Sequence, residues 1–476
     1  MYIYSGQQIK DVDAHAEQNG MSLFTLMENA GNGLYHQISK AITRTEKIVI
    51  LAGKGNNGGD GIVLARYLKN NRYHVSLMFP LGLPKTKTAE EHLAYYEACG
   101  YDFNPFTENI RADVIIDGLL GVGSQLPLRE DVLEITNWIN RQQAKVIAID
   151  VPTGVACDTG DVDDNAVKAN YTYVLHGYKP SAFLYPSSHY YGQTTVIDIG
   201  ILQSSRWKVW SEEEVRNTLP KRTGNTHKGT FGTGLLVAGS DEMPGSAALA
   251  AIGAIRFGIG KLSVATTRHA SIFIGRFTPE ATFLYEWSLT QQQAFSSMAI
   301  GPGLNPDQQL EQFVNDILNK EVPVILDAGA LSPREYKKRQ APTILTPHPG
   351  EFRRLTGESS AHIQKNRIEL ASQFSQENGV IVVLKGEWTV IAFPDGSGVI
   401  NPTGNRALSK GGTGDTLTGM LVASVHTHDG IKDAVANAVY IHGACGNKWT
   451  EQHGDQTMTA HDFDKLLPKV VYYFSN

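Results

Sequence analysis

The sequence predicts an α/β protein built from two doubly wound domains. Three observations lead there. Short β-branched runs alternate with helix-period stretches in both halves, the alternation lapses once, and glycine-rich turns follow strand candidates in each half. In the first half the strand candidates are 47–52 (KIVILA), 74–79 (HVSLMF), 113–117 (DVIID), 145–150 (KVIAID), 171–175 and 195–199. Each is short and apolar enough to be buried on both faces, as strands of a parallel sheet are. Between them Leu23, Leu26, Met27, Ala30, Leu34 and Ile38 recur near helical spacing, which predicts a helix over 22–39; the stretches 88–98 and 130–142 read likewise. Between about 201 and 231 a charged segment (SEEEVRNTLPKR) and a Gly/Thr-rich one (TGNTHKGTFGTG) interrupt the pattern, placing a boundary near 210 and domains at 1–210 and 211–476. The second half restarts with LLVAGS at 235–240 and continues through 262–266, 298–300, 323–327, 343–346, 380–384 and 389–393. No repeat and no low-complexity tract interrupts this reading.

Composition narrows the function. A chain of 476 residues is too long for one core, which agrees with two domains. The net charge of -6 argues against nucleic acid as a partner, and no basic run suggests an anionic membrane surface. Cys99, Cys157 and Cys445 are far apart and form no C-x-x-C pair, so neither a disulfide framework nor a zinc site is expected. The start, MYIYSGQQIKDVDAH, lacks a charged region ahead of an apolar core, and no apolar stretch reaches the length of a membrane span. A soluble cytoplasmic protein acting on small molecules is the expectation.

The run Lys410-Gly411-Gly412-Thr413-Gly414-Asp415 puts a carboxylate where a glycine-rich turn opens into a helix, whose buried face is marked by Leu417, Met420, Leu421 and Val422. Glycines there let backbone N–H groups approach phosphate oxygens, and Asp415 sits where a substrate hydroxyl could lose its proton. The alternative is a plain helix start with an Asp in its first turn. In the first half, GKGNNGGDG (53–61) follows a strand and precedes a helix, and Gly53, Gly55 and Gly58 satisfy G-x-G-x-x-G. A dinucleotide site also wants an acidic residue at the end of the second strand, yet that strand ends Met78-Phe79-Pro80. Hydride transfer is therefore disfavoured. Asp117 and Asp150 end two further strands, and parallel topology would bring Asn57, Asp60, Asp117, Asp150 and Thr153 to one crevice; capping of turns is the competing role for each carboxylate. Oxygen donors without Cys or His favour a hard cation, potassium or magnesium, over zinc.

GNNGGDG, followed by IIDGLLGVG and AIDVPTG, resembles the Rossmann-like YjeF N-terminal domain, the epimerase of NAD(P)H hydrates. The second half, with GPGL (301–304), LDAGAL (326–331), TPHPGE (346–351), LKG (384–386) and GGTGD (411–415), resembles the ribokinase-like NAD(P)H-hydrate dehydratase domain. Together they are similar to the bifunctional NAD(P)H-hydrate repair family over nearly the whole chain. The resemblance implies that Asn56, Asn57, Gly58, Gly59 and Asp60, together with Gly121, Val122, Gly123, Ser124, Gln125, Leu126 and Pro127, bind the hydrate in the first domain. Asn57, Asp117 and Thr153 would ligate a potassium ion, and Asp150 would bind substrate and act as acid/base in interconverting the R and S hydrates at nicotinamide C6. Lys179, in HGYKPS, either meets the phosphates or is a solvated surface lysine.

In the second domain the resemblance implies that Ser246, Gly303 and His348 lie against the hydrate. Lys385, Gly386, Glu387, Trp388 and Thr389, with Asn405, Arg406, Ala407, Leu408, Ser409, Lys410, Gly411, Gly412, Thr413 and Gly414, would cradle the nucleotide. Asp415 would accept the C6 hydroxyl proton. Expected substrates are the hydrates of NADH and NADPH (NADHX and NADPHX), with ADP as the phosphoryl donor, ATP as the other candidate donor, magnesium in the second domain, and a homo-oligomeric assembly. Two departures stand out. The family's D-A-D-A-L reads Asp327-Ala328-Gly329-Ala330-Leu331 here, and GPGLG reads GPGLN with Asn305 last. Two other readings are a small-molecule kinase of the same fold and a first domain that binds without turnover.

Overall fold

The computed structural model describes all residues except 223, 288–289, 291–293, 337–338 and 476. The chain divides into two compact units, Met1–Arg206 with Gln364–Asn366, and Trp207–Ile363 with Arg367–Asn476. The first boundary therefore falls a few residues before the expected 210.

In the first unit, β1 (Tyr2–Ile3) precedes helices α1 (Gly6–Gln18) and α2 (Leu23–Ile38). A six-stranded sheet follows: β2 (Lys47–Ala52), β3 (His74–Met78), β4 (Val114–Gly118), β5 (Lys145–Ile149), β6 (Tyr171–Leu175) and β7 (Gln193–Ile197), in the order β3-β2-β4-β5-β6-β7. Every pairing is parallel. Alternate residues of β2 enter different cores, Ile48, Ile50 and Ala52 on one face and Val49 and Leu51 on the other, which is why the strand reads as an unbroken apolar run. Burial of each such aliphatic side chain contributes about 1.5–3 kcal/mol. The chain order reverses between β2 and β4, and in a doubly wound sheet that crevice at the carboxyl ends is where ligands bind.

The glycines of GKGNNGGDG serve close packing at this edge. A side chain at Gly53 would meet the Leu119 carbonyl oxygen at 1.8 Å, and one at Gly58 would meet the Gly53 oxygen at 2.0 Å. The turn from β2 into α3 (Asn56–Asn70) is thereby pressed onto the turn that follows β4.

The second unit begins with β8 (Trp207–Val209) and α6 (Glu212–Thr218), in the stretch where no element was expected. Its sheet runs β8-β17-β16-β15-β14-β13-β12-β9-β10-β11, with β9 (Thr233–Val237), β10 (Lys261–Ala265), β11 (Thr282–Leu284), β12 (Ser297–Ile300), β13 (Val324–Leu326), β14 (Thr343–Leu345), β15 (Ile381–Leu384), β16 (Thr389–Ala392) and β17 (Gly398–Asn401). All pairings are parallel except those of β16 with β15 and β17. The order reverses between β9 and β12, again defining a crevice at the strands' carboxyl ends.

Two helices meet closely behind that crevice. A side chain at Gly419 of α13 (Thr413–Thr427) would meet the Ala250 carbonyl oxygen of α7 (Pro244–Arg256) at 1.8 Å, and one at Gly253 would meet the Thr416 oxygen at 2.3 Å. Small residues on both helices allow this approach, and it brings their N-terminal turns together. Among the described residues no helix is long and apolar enough to cross a membrane.

Candidate active sites

At the β2/β4 crevice lies a cavity of about 410 Å³. Asn56, Asn57, Asp60, Gly121, Val122, Gly123, Ser124 and Asp150 line it, as expected of hydrate-binding residues. Gly58 and Gly59 are buried inside α3 and are not among its wall residues. Gln125 is exposed and outside the wall, while Leu126 and Pro127 line a separate depression with Asp163 and Asp164.

Asp150 has a left-handed backbone (φ 67°) at the end of β5. Its Oδ1 accepts from the Leu175 amide at 3.0 Å and from the Lys179 ammonium. Lys179 is fully buried and also donates to the carbonyls of Leu175 at 2.8 Å and Gly177 at 3.1 Å. The solvated alternative for Lys179 is thus corrected: the ammonium is the inward counter-charge of Asp150, and its donors are spent within the protein.

Two further carboxyls share the cavity. Asp60 is pushed well above the usual carboxylate range by burial, then by the charges of Asp150 and Asp13, with Lys179 opposing. Asp13, on α1, is pushed up to about 6 by burial and by Asp150, again against Lys179. Sequence reasoning missed Asp13, as it did His176, which also lines the cavity. The setting of Asp13 rests on Asp150 and Lys179, far away along the chain.

Asp117 is fully buried behind the cavity. Its Oδ1 accepts from the Thr153 hydroxyl at 2.7 Å and its Oδ2 from the Thr153 amide at 2.9 Å. Burial pushes its carboxyl up to about 6, against the hydrogen bonds from Thr153 and Leu119. Asn57 donates to the Leu120 carbonyl at 3.0 Å, and the Thr153 hydroxyl accepts from the Leu120 amide at 3.1 Å. The donor set joined here is entirely oxygen, which suits a hard cation.

In the second unit Gly412 adopts φ 93° and turns the chain into α13. Asp415 in that first turn accepts a hydrogen bond from Ser246, in the first turn of α7. Gly303 (φ 68°) packs beside Ser246: a side chain there would meet the Ser246 Cβ at 3.0 Å. Burial and the nearby Asp327 push Asp415 up to about 7, opposed by the Ser246 hydrogen bond and by Lys385, with Glu351 adding a smaller upward push. Lys385 Nζ lies 3.0 Å from Asp327 and 3.9 Å from Glu351. Burial works against its charge, but Asp327, Glu351 and Asp415 together hold it above the usual lysine range. Asp327 also accepts from Thr418 at 2.7 Å. Two helix N-termini, one ammonium and one carboxyl with a near-neutral pKa therefore converge, an arrangement able to hold an anion and take a proton beside it.

His348 caps α10 (Pro349–Thr356): its Nδ1 accepts from the amides of Gly350 at 3.0 Å and Glu351 at 3.3 Å, while Glu351 accepts from the His348 amide at 2.7 Å. The imidazole is largely exposed, with its Nε2 3.4 Å from a Glu351 carboxylate oxygen. In the segment 385–389, Gly386 and Glu387 are exposed, Trp388 has φ 37°, and the Thr389 hydroxyl returns to the Gly386 carbonyl at 3.1 Å. Beneath them the buried Arg367, which sequence reasoning missed, donates to the carbonyls of Leu384 at 2.7 Å and Lys385 at 3.0 Å. Asn405 caps the turn Arg406–Leu408 and is held by Asn447 and Thr450. Arg406, Ser409, Lys410 and Gly411 are exposed along this loop. Ala407 and Leu408 point the other way, into the core, and Thr413 is buried on the carbonyls of Leu408 and Lys410. These three anchor the loop rather than offer side chains to a nucleotide.

Gly329, in Asp327-Ala328-Gly329-Ala330-Leu331, has no room for a side chain. A side chain there would meet the Leu304 carbonyl oxygen at 2.1 Å.

Each of the two units is similar to known proteins. The family model described as YjeF-related protein N-terminus matches residues 23–181, and the NAD(P)H-hydrate dehydratase model matches residues 234–469. The chain is 50% identical to the ADP-dependent (S)-NAD(P)H-hydrate dehydratase of Bacillus subtilis over 55% of this chain and 96% of that protein. It is 31% identical to the bifunctional NAD(P)H-hydrate repair enzyme Nnr of Moorella thermoacetica over 99% of this chain and 97% of the relative. A crystal structure of the ADP/ATP-dependent NAD(P)H-hydrate dehydratase from Bacillus subtilis, co-crystallized with ATP/Mg2+, matches with a TM-score of 0.55 and 49% identity, covering 56% of this chain and 98% of that one.

Proposed function

Because the chain belongs to the family of bifunctional NAD(P)H-hydrate repair enzymes, we propose that it epimerises the R and S hydrates of NADH and NADPH in its first domain and dehydrates the S form in its second, at the expense of ADP. The single observation that carries the dehydratase half is Asp415, held near neutrality at the meeting point of two helix N-termini and beside Lys385. Asp415 accepts the proton of the C6 hydroxyl as that oxygen attacks the terminal phosphorus of ADP, and AMP leaves. Phosphate then departs from C6, assisted by the electron pair of N1, and loss of a proton from C5 restores the dihydronicotinamide. Hydroxide leaves poorly and phosphate well, which is why a dehydratase is built like a kinase. Lys385 and the amides of the Gly411–Gly414 turn neutralise phosphate charge that develops in transfer. Magnesium accompanies the nucleotide's own phosphates.

In the first domain Asp150 is the acid/base at C6, with Lys179 keeping its carboxylate in place. Asn57, Asp117 and Thr153 would hold a potassium ion, which when bound supplies positive charge at the back of the cavity. The intact pair of Asp150 and Lys179 in the cavity wall supports turnover over a binding-only role. The relatives favour dehydration over accumulation of a phosphorylated product by a small-molecule kinase. Cytoplasmic location and a homo-oligomeric state belong to the same reading; Ile272, Phe273 and Phe277 give helix α8 (Arg268–Phe277) an exposed apolar face for such contacts.

The test is spectroscopic recovery of NADPH from mixed hydrate epimers, with and without ADP and Mg2+. Asp415→Ala should abolish recovery. Asp150→Ala should leave only the S epimer repaired, and absence of any ADP-dependent recovery by the native chain would sink the proposal.

A further inference from the structure

Asp13 lines the first-domain cavity and has no role in the chemistry assigned above. Its helix is set against that wall: the Gly6 amide at the start of α1 donates to Asp158 at 2.7 Å, and a side chain at Gly6 would meet the carbonyl oxygen of Val122, a wall residue, at 3.4 Å. Further along, Ile9, Lys10 and Asp13 enter the wall at helical spacing, and Ala16, the next residue of that face, packs against the core. The Asp13 side chain therefore points inward. It is half-buried, and among the described residues neither of its carboxyl oxygens has a hydrogen-bond partner and neither is enclosed. A carboxyl left open and unpartnered in a ligand cavity is available to a substrate.

Asp150 is placed differently. The Leu175 amide and the Lys179 ammonium both hold its Oδ1, and its backbone is fixed at φ 67°. Epimerisation inverts C6, and the direct route is loss of the hydroxyl from one face of the ring with addition of water to the other. Two proton-transferring groups on separate elements suit that task better than one pinned group, and Asp13 enters from α1 where Asp150 enters from the end of β5. The Asp13 carboxyl shares the field of Asp150 and Lys179 and, with its pKa pushed up to about 6, gives and takes a proton near neutrality. Asp60 is held well above the usual range by full burial and keeps its proton; Lys10 and His176 are the other titratable groups in the wall.

Resting on the epimerase reading above, we propose that Asp13 is a second catalytic carboxyl of the first domain, working with Asp150 on C6 of the hydrate. Protonated Asp13 gives its proton to the C6 hydroxyl; the C6–O bond breaks as the N1 electron pair closes to an N1=C6 iminium, and water leaves. Water then adds to the opposite face of C6, the iminium pair returns to N1, and Asp150 takes the proton released. One water departs and one enters. The reverse epimerisation exchanges the two roles, and the proton passes back through solvent.

The experiment follows interconversion of purified R and S NADPHX by chromatography and mass spectrometry in water enriched in heavy oxygen, with the intact wild-type chain, Asp13→Asn and Asp13→Glu. Asn has the shape of Asp but neither gives nor takes the proton. It should lower kcat for epimerisation about 100- to 10,000-fold with little change in KM, while ADP-dependent dehydration of the S form keeps the wild-type rate. Asp13→Glu should recover part of kcat. Each wild-type turnover should carry one heavy oxygen into the product. Asn at the wild-type kcat, a loss confined to KM, or Glu no better than Asn overturns the proposal. So does retention of the original oxygen in the wild-type product, a measurement that no folding defect in a variant can disturb. Failure of wild type to interconvert the epimers beyond the uncatalysed rate would instead refute the epimerase reading.

Discussion

Lys179 is fully buried with its ammonium on the Asp150 carboxylate, at the carboxyl edge of a parallel sheet. Removing one member of a buried pair strands the other charge, which costs about 3–5 kcal/mol. Lys179→Met should therefore destabilise the first domain by that order and abolish epimerisation. Adding Asp150→Asn should restore much of the stability and none of the activity, because neither charge is then left alone. Urea denaturation of the four members of this cycle reads the outcome; a Lys179→Met midpoint equal to wild type would contradict the pairing.

Asp415 predicts the pH dependence of dehydration. Its base form is the ionised one, so a carboxyl raised to about 7 makes kcat/KM climb with pH through about 7 and then level off. The Ser246 hydrogen bond favours the ionised form, and Ser246→Ala should shift that limb to higher pH. Initial rates of NADPH recovery across a buffer series measure both; a limb unmoved or moved to lower pH in the variant would contradict the assignment.

Gly329 sits against the Leu304 carbonyl with no room for a side chain. Even Gly329→Ala should displace the Leu304 carbonyl beside Gly301–Gly303, costing about 1–3 kcal/mol and raising KM for the hydrate. Gly329→Asp should be worse, not a restoration. Thermal unfolding and hydrate saturation curves test this, and an active, undestabilised Gly329→Asp protein would refute it.

Arg367 ties down the carbonyls of Leu384 and Lys385 beneath the expected nucleotide loop. Arg367→Met leaves both carbonyls without this donor and lets the Lys385 backbone move. The expected result is a rise of about tenfold in KM for ADP, equivalent to about 1.4 kcal/mol, with little change in KM for the hydrate. Equal effects on both constants would point to a general loss of structure instead.

Much of this was legible in the sequence where the pattern is local. Unbroken apolar runs such as KIVILA became strands because both faces of a parallel sheet are covered. The strands β8, β11 and β17 were not legible: β8 and β11 are only partly buried, and none of the three carries the longer apolar run seen in KIVILA. Among the site residues, glycine-rich turns announced Asp415 and Asn57. Lys179 could not be told from a surface lysine because its burial depends on Asp150, 29 residues away. Asp13 was hidden for a related reason: α1 (GQQIKDVDAHAEQ) is a mostly polar helix, and nothing in its spacing marks the residue that enters the cavity wall. Ala407 and Leu408 show that a contiguous motif also contains residues whose side chains anchor it in the core.

The carboxyl-rich wall has a thermodynamic consequence for the fold itself. Asp13 and Asp60 hold their protons more tightly in the folded domain than solvent-exposed carboxylates do, so folding takes up protons, for Asp13 between about pH 4 and 6. By linkage, stability from these two groups is complete below the unfolded pKa and is given up as pH rises through the folded values. Mild acid should tighten the domain that houses the cavity, and Asp13→Asn should flatten that slope in denaturation profiles. The arrangement that prepares the cavity for proton transfer thus makes the domain's own folding equilibrium a sensor of proton activity.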